Sequence, residues 1–512
     1  MTLTQTQATL KRPLNSAPFQ PSIASLHSTR IAELDALTAN LDIPQLQKFF
    51  VQNKLNSEEL TTYYLWRILN FDEHKLNSVT ELNPDALLIA RQLDAERAAG
   101  HLHGPLHGTV VLFKDNIGTG DQMHTTAGAR ALQTAQCDRD AFIVQKLRAA
   151  GAVILGKTAM TEWANWVSDA MPDGFSAVGG QVKNAHGSGL PVSGSSTGSA
   201  AAVAANFASF AIGTETWGSL TSPAVAHGVV TLKPTLGLIS RDRIIPITDA
   251  QDTAGPFTRN VIDLALVMNA IVGVDVNDDA TRLVNETSSA FASAFDQGLT
   301  PNAARGMRIG LLPATPDNEA LHHAVAAALH AVGAIVVTLP TLPNLSEDVV
   351  TAFFEICYYG FKSGVNGYLA DTGAPISTLD DIVAFNQQDA ADRIPYGQTY
   401  LEKSARTTLT PDTYAAAVQR VRDTAQKQID ALLATHSVDL LAGVNTALGS
   451  IVNYPGAGYP AAVLPIGFHA NGKPAGMMLV GTVLDDARLI RASYAIEQYV
   501  GPLSPPDLTH WK

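Results

Sequence analysis

Thr109-Val-Val-Leu-Phe113, then Ala141-Phe-Ile-Val-Gln-Lys-Leu-Arg-Ala-Ala150, then Gly151 and Ala152-Val-Ile-Leu155, is the stretch that decides the fold. The first and last runs are short, continuous and apolar, which predicts strands buried on both faces. The run between them reads as a helix closed by Gly151. Strand, turn and helix in alternation build a sheet covered by helices. The expected fold class is α/β, with a large mixed, mostly parallel twisted sheet and helices on both of its faces.

Upstream, Ile43 to Gln52 carries apolar residues at helical spacing, and Ser57 to Leu69 opens with Ser57-Glu-Glu, a cap with an acidic first turn. Asn83-Pro-Asp starts a helix over Ala86 to Ala99 that ends at Gly100. Downstream, a Gly/Ser-rich stretch, His186 to Ser199, leads into an Ala-rich helix to about Phe210. Met307 to Leu312 and Ala334 to Leu339 predict strands around a helix that begins near Asn318. Residues 346–435 read as largely helical, Val438 to Leu441 and Ala461 to Ile466 return to strand, and Asp485 to Val500 forms a closing helix. Strands on both sides of the helical stretch favour one discontinuous body. Residues 1–36 are expected to be a polar leader, poorly ordered or peripheral, and 37–505 a single domain with a helical insertion over 346–435.

Composition agrees with a large interior. Of 512 residues, 16% are charged and 46% apolar, a balance suited to a body with a small surface for its mass. The net charge of −13 argues against a dedicated nucleic-acid binder, which needs a basic surface. Cys137 and Cys357 are too few for a disulfide framework or a four-thiolate zinc site. The N-terminal stretch lacks the apolar core of a signal peptide, and Ala200 to Ile212 is too short to span a bilayer. A soluble, cytoplasmic protein without nucleic-acid or membrane partners is expected.

Three local patterns compete for function. Gly151-Ala-Val-Ile-Leu-Gly156-Lys157-Thr158 has the spacing of a P-loop, but its four central residues are strand-like, so their amides are spent in a sheet. Gly194-Ser-Ser196-Thr-Gly198 has the spacing of a nucleophile elbow, yet Gly187, Gly189 and Pro191 spoil the strand that an elbow needs. Apart from these three, His103 and His107 have helical ligand spacing, but Gly104, Pro105 and Gly108 break any helix there, so no zinc site is expected. The third pattern joins distant segments: Lys114 at the end of an apolar strand, the loop Gly194-Ser195-Ser196-Thr197-Gly198-Ser199, and Gly213-Thr-Glu-Thr-Trp-Gly-Ser219. Singly they read as a solvated lysine, a linker and a turn.

Together they resemble the amidase-signature family, over nearly the whole chain from about Leu37. The matching stretches are Gly104-Pro-Leu-His-Gly108 through Asn116, Gly156-Lys-Thr, Pro191 through Ser199, Gly213 through Pro223, Leu232-Lys-Pro-Thr235, Gln251-Asp-Thr-Ala-Gly-Pro256 and Gly458-Tyr-Pro460. Within the family the sequence is most similar to the peptide amidase branch, on Gly213-Thr-Glu-Thr, Ser219-Leu-Thr221, Ser240-Arg-Asp242, Tyr358 to Asn366 and Ile382-Val-Ala-Phe-Asn386.

The resemblance implies an amide hydrolase that works through a Ser–Ser–Lys triad and a covalent acyl-enzyme, on peptide C-terminal amides or small organic amides. It implies Ser219 as nucleophile, Ser195 as bridging serine on a cis Gly194–Ser195 peptide, and Lys114 as base. The backbone N–H groups of Thr216, Trp217, Gly218 and Ser219 match its oxyanion loop. No metal or organic cofactor is implied, and a monomer or homodimer is expected. The roles make chemical sense: a serine needs a base during attack, and burial can keep a lysine neutral enough to be one. The family often has Gly or Asp where Trp217 stands, so an indole either reshapes the acyl pocket or packs into the core. It commonly has Arg where Thr221 stands, so a carboxylate-binding role there does not carry over; peptide amidases share the Thr. The alternatives are an amide-forming or amidotransferase enzyme that uses the same acyl-enzyme and, from another class, a nucleotide-binding protein that uses Gly156-Lys157-Thr158. The helical insertion and the loops around Met171 and Asn445 are expected to shape the pocket.

Overall fold

The computed structural model describes residues 13–286, 295–342, 345–446 and 453–511. Its strands are β1 (Val79–Leu82), β2 (Val110–Lys114), β3 (Val153–Thr158), the two-residue pair β4 (Phe175–Ser176) and β5 (Gly180–Gln181), β6 (Phe210–Glu215), β7 (Val230–Lys233) and β8 (Thr253–Thr258). They continue with β9 (Arg308–Leu311), β10 (Ile335–Thr338), β11 (Leu440–Val444), β12 (Ala461–Phe468) and β13 (Pro474–Val480). All but β4 and β5 join one sheet of eleven strands in the order β1-β3-β2-β6-β8-β7-β12-β13-β11-β9-β10.

The continuous apolar strands serve two cores at once. Successive side chains on a strand point to opposite faces. Val110 and Leu112 of β2 therefore join one core with Val153 and Leu155 of β3, while Val111 and Phe113 join a second with Ile154. The first core is covered by the helices Ser57–Phe71, Thr197–Ala204, Glu347–Thr372 and Pro411–His436; the second by Phe142–Ala149, Val261–Ile271, Glu319–Ala331 and Asp486–Val500. Lys114 is in phase with Val110 and Leu112. It therefore projects to the face that carries the Gly/Ser loop and the long helices between β10 and β11.

The sheet is mixed, but it is not mostly parallel. β2 pairs in parallel with β3 and β6, and β9 with β10 and β11. The remaining neighbours, through the middle of the sheet and at β1, are antiparallel. A strand buried on both faces reads as the same apolar run in either direction, so the sequence carries no sign of orientation. The Ala-rich helix stops at Ala204, and Phe210 begins β6 instead of ending the helix. Asn56, not Ser57, caps the helix Ser57–Phe71, by accepting from Glu59 N–H; Glu58 and Glu59 occupy its first turn.

Residues 1–12 of the expected leader lie outside the described residues. The rest of it packs on the body: the helices Gln20–Ala24 and Ser28–Thr38 form, Phe19 and Leu34 are buried in the first core, and Arg30 pairs with Glu59. Between β10 and β11 the described regular elements are all helices, from Glu347–Thr372 to Pro411–His436. Among the described residues no helix is long and apolar enough to cross a membrane.

The P-loop spacing is spent in the sheet. Gly156, Lys157 and Thr158 pair with β2 on one side and β1 on the other. Lys157 is fully buried and donates to Ile117 O at 2.6 Å and Thr125 Oγ1 at 3.0 Å. Neither its amides nor its ammonium is available to a phosphate, which removes the nucleotide-binding alternative.

The helix Thr197–Ala204 reaches the sheet through a close approach at Gly198. Its N–H donates to Ala159 O at 2.9 Å, and a Cβ there would lie 2.4 Å from the carbonyl oxygens of both Ala159 and Ser78. Both contacts are backbone and cannot swing aside. Gly198→Ala is expected to cost ~1–3 kcal/mol, the range for overpacking a filled core. Denaturant unfolding would read this as a lower midpoint at an unchanged slope.

Candidate active site

Lys114 ends β2 with its side chain fully buried. Its Nζ donates to Ser195 Oγ at 2.7 Å, Thr214 Oγ1 at 2.8 Å, Ser196 Oγ at 2.9 Å and Thr214 O at 3.2 Å. No carboxylate is among these partners. Loss of hydration pushes its pKa down from 10.5 to about 7, and the negative charges of Asp252 and Glu215 oppose that fall only in part. A lysine so placed is an amine for a large share of the time at neutral pH.

The serines of the Gly/Ser loop divide the work. Ser196 Oγ donates to Thr214 O at 2.9 Å and accepts from Thr214 N–H at 3.2 Å, which clamps the loop to β6. Ser199 Oγ bonds to Thr158 Oγ1 at 2.7 Å and donates to Ile212 O at 3.1 Å, which ties the helix to β3 and β6. Ser195 Oγ has Lys114 as its one hydrogen-bond partner among the described residues. The Gly194–Ser195 peptide is cis. The elbow reading of Ser196 fails, since residues 187–193 form no strand and Ser196 is occupied in holding β6.

Beyond β6 the chain turns through Thr216 to Ser219, with Gly218 at φ 73°, a left-handed conformation that favours glycine. Ser219 is buried, and its carbonyl accepts from Ser196 N–H at 3.2 Å, which ties this turn to the serine loop. Its Oγ makes no hydrogen bond among the described residues. Lys114 and Ser195 are thus joined directly, and Ser219 is joined to them through backbone.

Two carboxylates that sequence reasoning missed fix the turn. Glu215 Oε2 accepts from Leu220 N–H at 2.7 Å and Thr221 N–H at 3.0 Å, at the start of the helix Thr221–His227, and its Oε1 accepts from Tyr454 Oη at 2.7 Å. Asp252 Oδ1 accepts from Thr216 Oγ1 at 2.6 Å, and its Oδ2 from the N–H groups of Ile247 and Thr248 at 2.7 and 3.0 Å. Burial raises the Asp252 carboxyl to about 6. The signal is present in the sequence, since both lie inside motifs that carry the resemblance, but neither motif says which way its carboxylate points. Thr221, where the family commonly has Arg, bonds to Glu215 Oε2 at 3.3 Å and to Tyr454 Oη at 2.8 Å. The position is used to brace the turn.

Trp217 packs against the first core while staying half-buried. Its ring meets Phe353 edge-on at 4.8 Å and Trp166 edge-on at 5.8 Å; Trp166 in turn stacks on Tyr400 at 4.8 Å. The indole therefore belongs to an aromatic wall partly built by the helix Glu347–Thr372. Met171 is buried in the same core, whereas Asn445 bonds to Gly476 and His469 at the end of β11. A cavity of about 250 Å³ lies beside the turn, with Asn116, Thr214, Thr216, Asp252, Tyr368 and Asp371 among its lining residues. The loop over residues 101–108 is not helical, as its Gly and Pro residues predict, yet it stacks the His103 and His107 rings at 5.3 Å.

Comparison with known proteins gives the same direction. The amidase family model matches residues 59–490. The chain is 34% identical over 472 residues to a probable amidase of Arabidopsis thaliana, covering 91% of each. It is 33% identical to one of the subunits of a glutamyl-tRNA(Gln) amidotransferase from Synechococcus, covering 87% of this chain and 93% of that one. The crystal structure of the peptide amidase from Stenotrophomonas maltophilia superposes with a TM-score of 0.86 at 40% identity, covering 92% of this chain and 99% of that one. With the family model spanning most of the sequence and the fold shared end to end, the chain belongs to the amidase family.

Proposed function

We propose that this amidase hydrolyses carboxamides through an acyl-enzyme on Ser219, with Lys114 as the base and Ser195 as the relay between them. The observation that carries the reading is Lys114: fully buried, drawn down to about 7, and 2.7 Å from a serine with no other partner among the described residues. A neutral Lys114 takes the Ser195 proton while Ser195 takes that of Ser219, whose oxygen attacks the carbonyl carbon. The charge that develops on the carbonyl oxygen needs donors already in place. The N–H groups of Thr216, Trp217, Gly218 and Ser219 lie in one turn, and those of Thr216, Trp217 and Ser219 donate to no acceptor among the described residues. The proton then returns through Ser195 to the leaving nitrogen, the C–N bond breaks, and water releases the acid by the same route in reverse.

The likeness to a peptide amidase and the aromatic wall at Trp217 support amidated peptides or small organic amides with an apolar acyl side. Capture of the acyl group by an added amine, the amidotransferase alternative, has the likeness to the Synechococcus amidotransferase in its favour. Product analysis with competing hydroxylamine separates the two, and acid is expected to be the main product.

Ser219→Ala is expected to abolish release of amine from an amide panel, and Lys114→Ala to reduce it by ~10²–10⁴-fold or more. Full activity in either variant would overturn the reading. With Lys114 active as the free amine, log kcat/KM should rise with pH up to about 7 and level off above it. A profile flat from pH 5 to pH 9 would contradict Lys114 as the base.

Glu215→Ala leaves the Leu220 and Thr221 amides without their acceptor. It should lower stability by ~1–3 kcal/mol and lower kcat more than it raises KM. Glu215→Gln, which keeps an acceptor oxygen, should recover most of both.

A further inference from the structure

A second cluster of reactive side chains lies at the opposite end of β2 from Lys114. Glu96 sits in the last turn of the helix Ala86–Ala98, and His103 and His107 on the loop that leads from it into β2. One ligand atom from each lies within 4.8 Å of the others. His103 Nε2 is 2.9 Å from Glu96 Oε2, and both side chains are partly exposed. His107 is buried, and its Nε2 lies 2.9 Å from Leu93 O. A carbonyl can only accept, so Nε2 carries the proton and the lone pair is on Nδ1, on the side of His103. This is the arrangement of a metal-binding imidazole, whose second nitrogen is held by a backbone carbonyl.

One further feature suits a cation. Gly151 borders the site, and a Cβ on it would lie 2.9 Å from His107 Nδ1 and 3.3 Å from His103 Cβ, so its lack of a side chain keeps that space open. The nearby Arg97 guanidinium, which donates to Gln47 Oε1 at 2.9 Å and His107 O at 2.8 Å, keeps its positive charge and works against the ion. The competing demand on the lone pair is small: among the described residues the one donor to His107 Nδ1 is His103 N–H at 3.4 Å, a long contact.

We propose that Glu96, His103 and His107 form a binding site for one divalent cation of the zinc class, through Glu96 carboxylate, His103 Nε2 and His107 Nδ1, with water in the fourth position. Two imidazoles and one carboxylate are a borderline-soft set that suits Zn²⁺ over Mg²⁺ or Ca²⁺. Closing to bond lengths of ~2.0–2.2 Å requires the partly exposed His103 ring to leave its stack on His107 and, with Glu96, to turn toward His107 Nδ1. The ion would staple the end of the helix Ala86–Ala98 to the entrance of β2. Its separation from Lys114 is at least the length of that strand, ~13 Å at ~3.3 Å per residue. A structural role is therefore expected, independent of the amide chemistry.

The test is titration of metal-free full-length protein with Zn²⁺, followed by calorimetry and by thermal unfolding. One equivalent should bind and Tm should rise, with Mg²⁺ producing neither effect. The double variant Glu96→Gln, His103→Ala removes two partly exposed ligands. It should keep the metal-free Tm and the metal-free amide hydrolysis of the parent, while weakening Zn²⁺ binding by at least ~10-fold and losing the Tm rise. His103→Ala alone should give an intermediate affinity. Absence of Zn²⁺ uptake by the parent, or uptake unchanged in the double variant, would overturn the proposal; the latter would assign the ion to other histidines on the surface.

Discussion

A lysine amine withdrawn from water is the constraint around which the site is arranged. In water Lys114 would keep its proton to about pH 10.5; inside the first core it loses its hydration and no carboxylate touches it. Hydroxyl and carbonyl oxygens take up its hydrogen bonds instead, enough to avoid an orphaned donor but too weak to restore the full preference for charge. Asp252 and Glu215 stand behind Thr216 and Thr221, near enough to soften the fall and too well occupied to form an ion pair. Had either carboxylate reached Nζ, the lysine would be held as an ammonium, unfit for the role of base proposed for it.

The same two carboxylates also position the turn. Glu215 gathers the amides that follow Ser219, and Asp252 holds the Thr216 hydroxyl, so both ends of the turn are fixed. The aromatic wall then acts on the turn from outside: Trp217 is pinned against Phe353 and Trp166 and so cannot fold back over its own N–H. The turn, Lys114 and the aromatic wall are therefore set by separate parts of the chain, each braced by buried hydrogen bonds or rings. Such a site needs little rearrangement when charge develops on a substrate.

Where sequence and structure part, the cause is the surroundings that folding supplies. β8, Thr253-Ala-Gly-Pro-Phe-Thr258, lies in the middle of the sheet although Gly and Pro argue against a strand. It is tolerated because β7 pairs only with Phe257 and Thr258, which leaves Pro256 beyond the end of that ladder. Nothing in the polar N-terminal stretch signals that Phe19 and Leu34 will find a core to join. The loop at His103 and His107 cannot be a helix, so its spacing alone predicts no ligand site. Glu96 nonetheless approaches from a neighbouring helix, which local spacing does not register.

What the sequence by itself determined was the alternation of short buried runs with helices, and the three segments around Lys114, Ser195 and Ser219 whose joint occurrence marks the family. These are properties of composition and order, and they survive without coordinates. Only the tertiary structure decided strand direction, because a strand buried on both faces looks alike either way. It alone showed that Ser195 and Ser196 both reach Lys114 and that Ser196 is also tied to Thr214, since the serines of the loop differ only in where the helix start aims them. The charge of Lys114 was likewise undetermined by its neighbours in sequence: it follows from how much water and how many carboxylates the fold leaves around one nitrogen, and folding sets both at once.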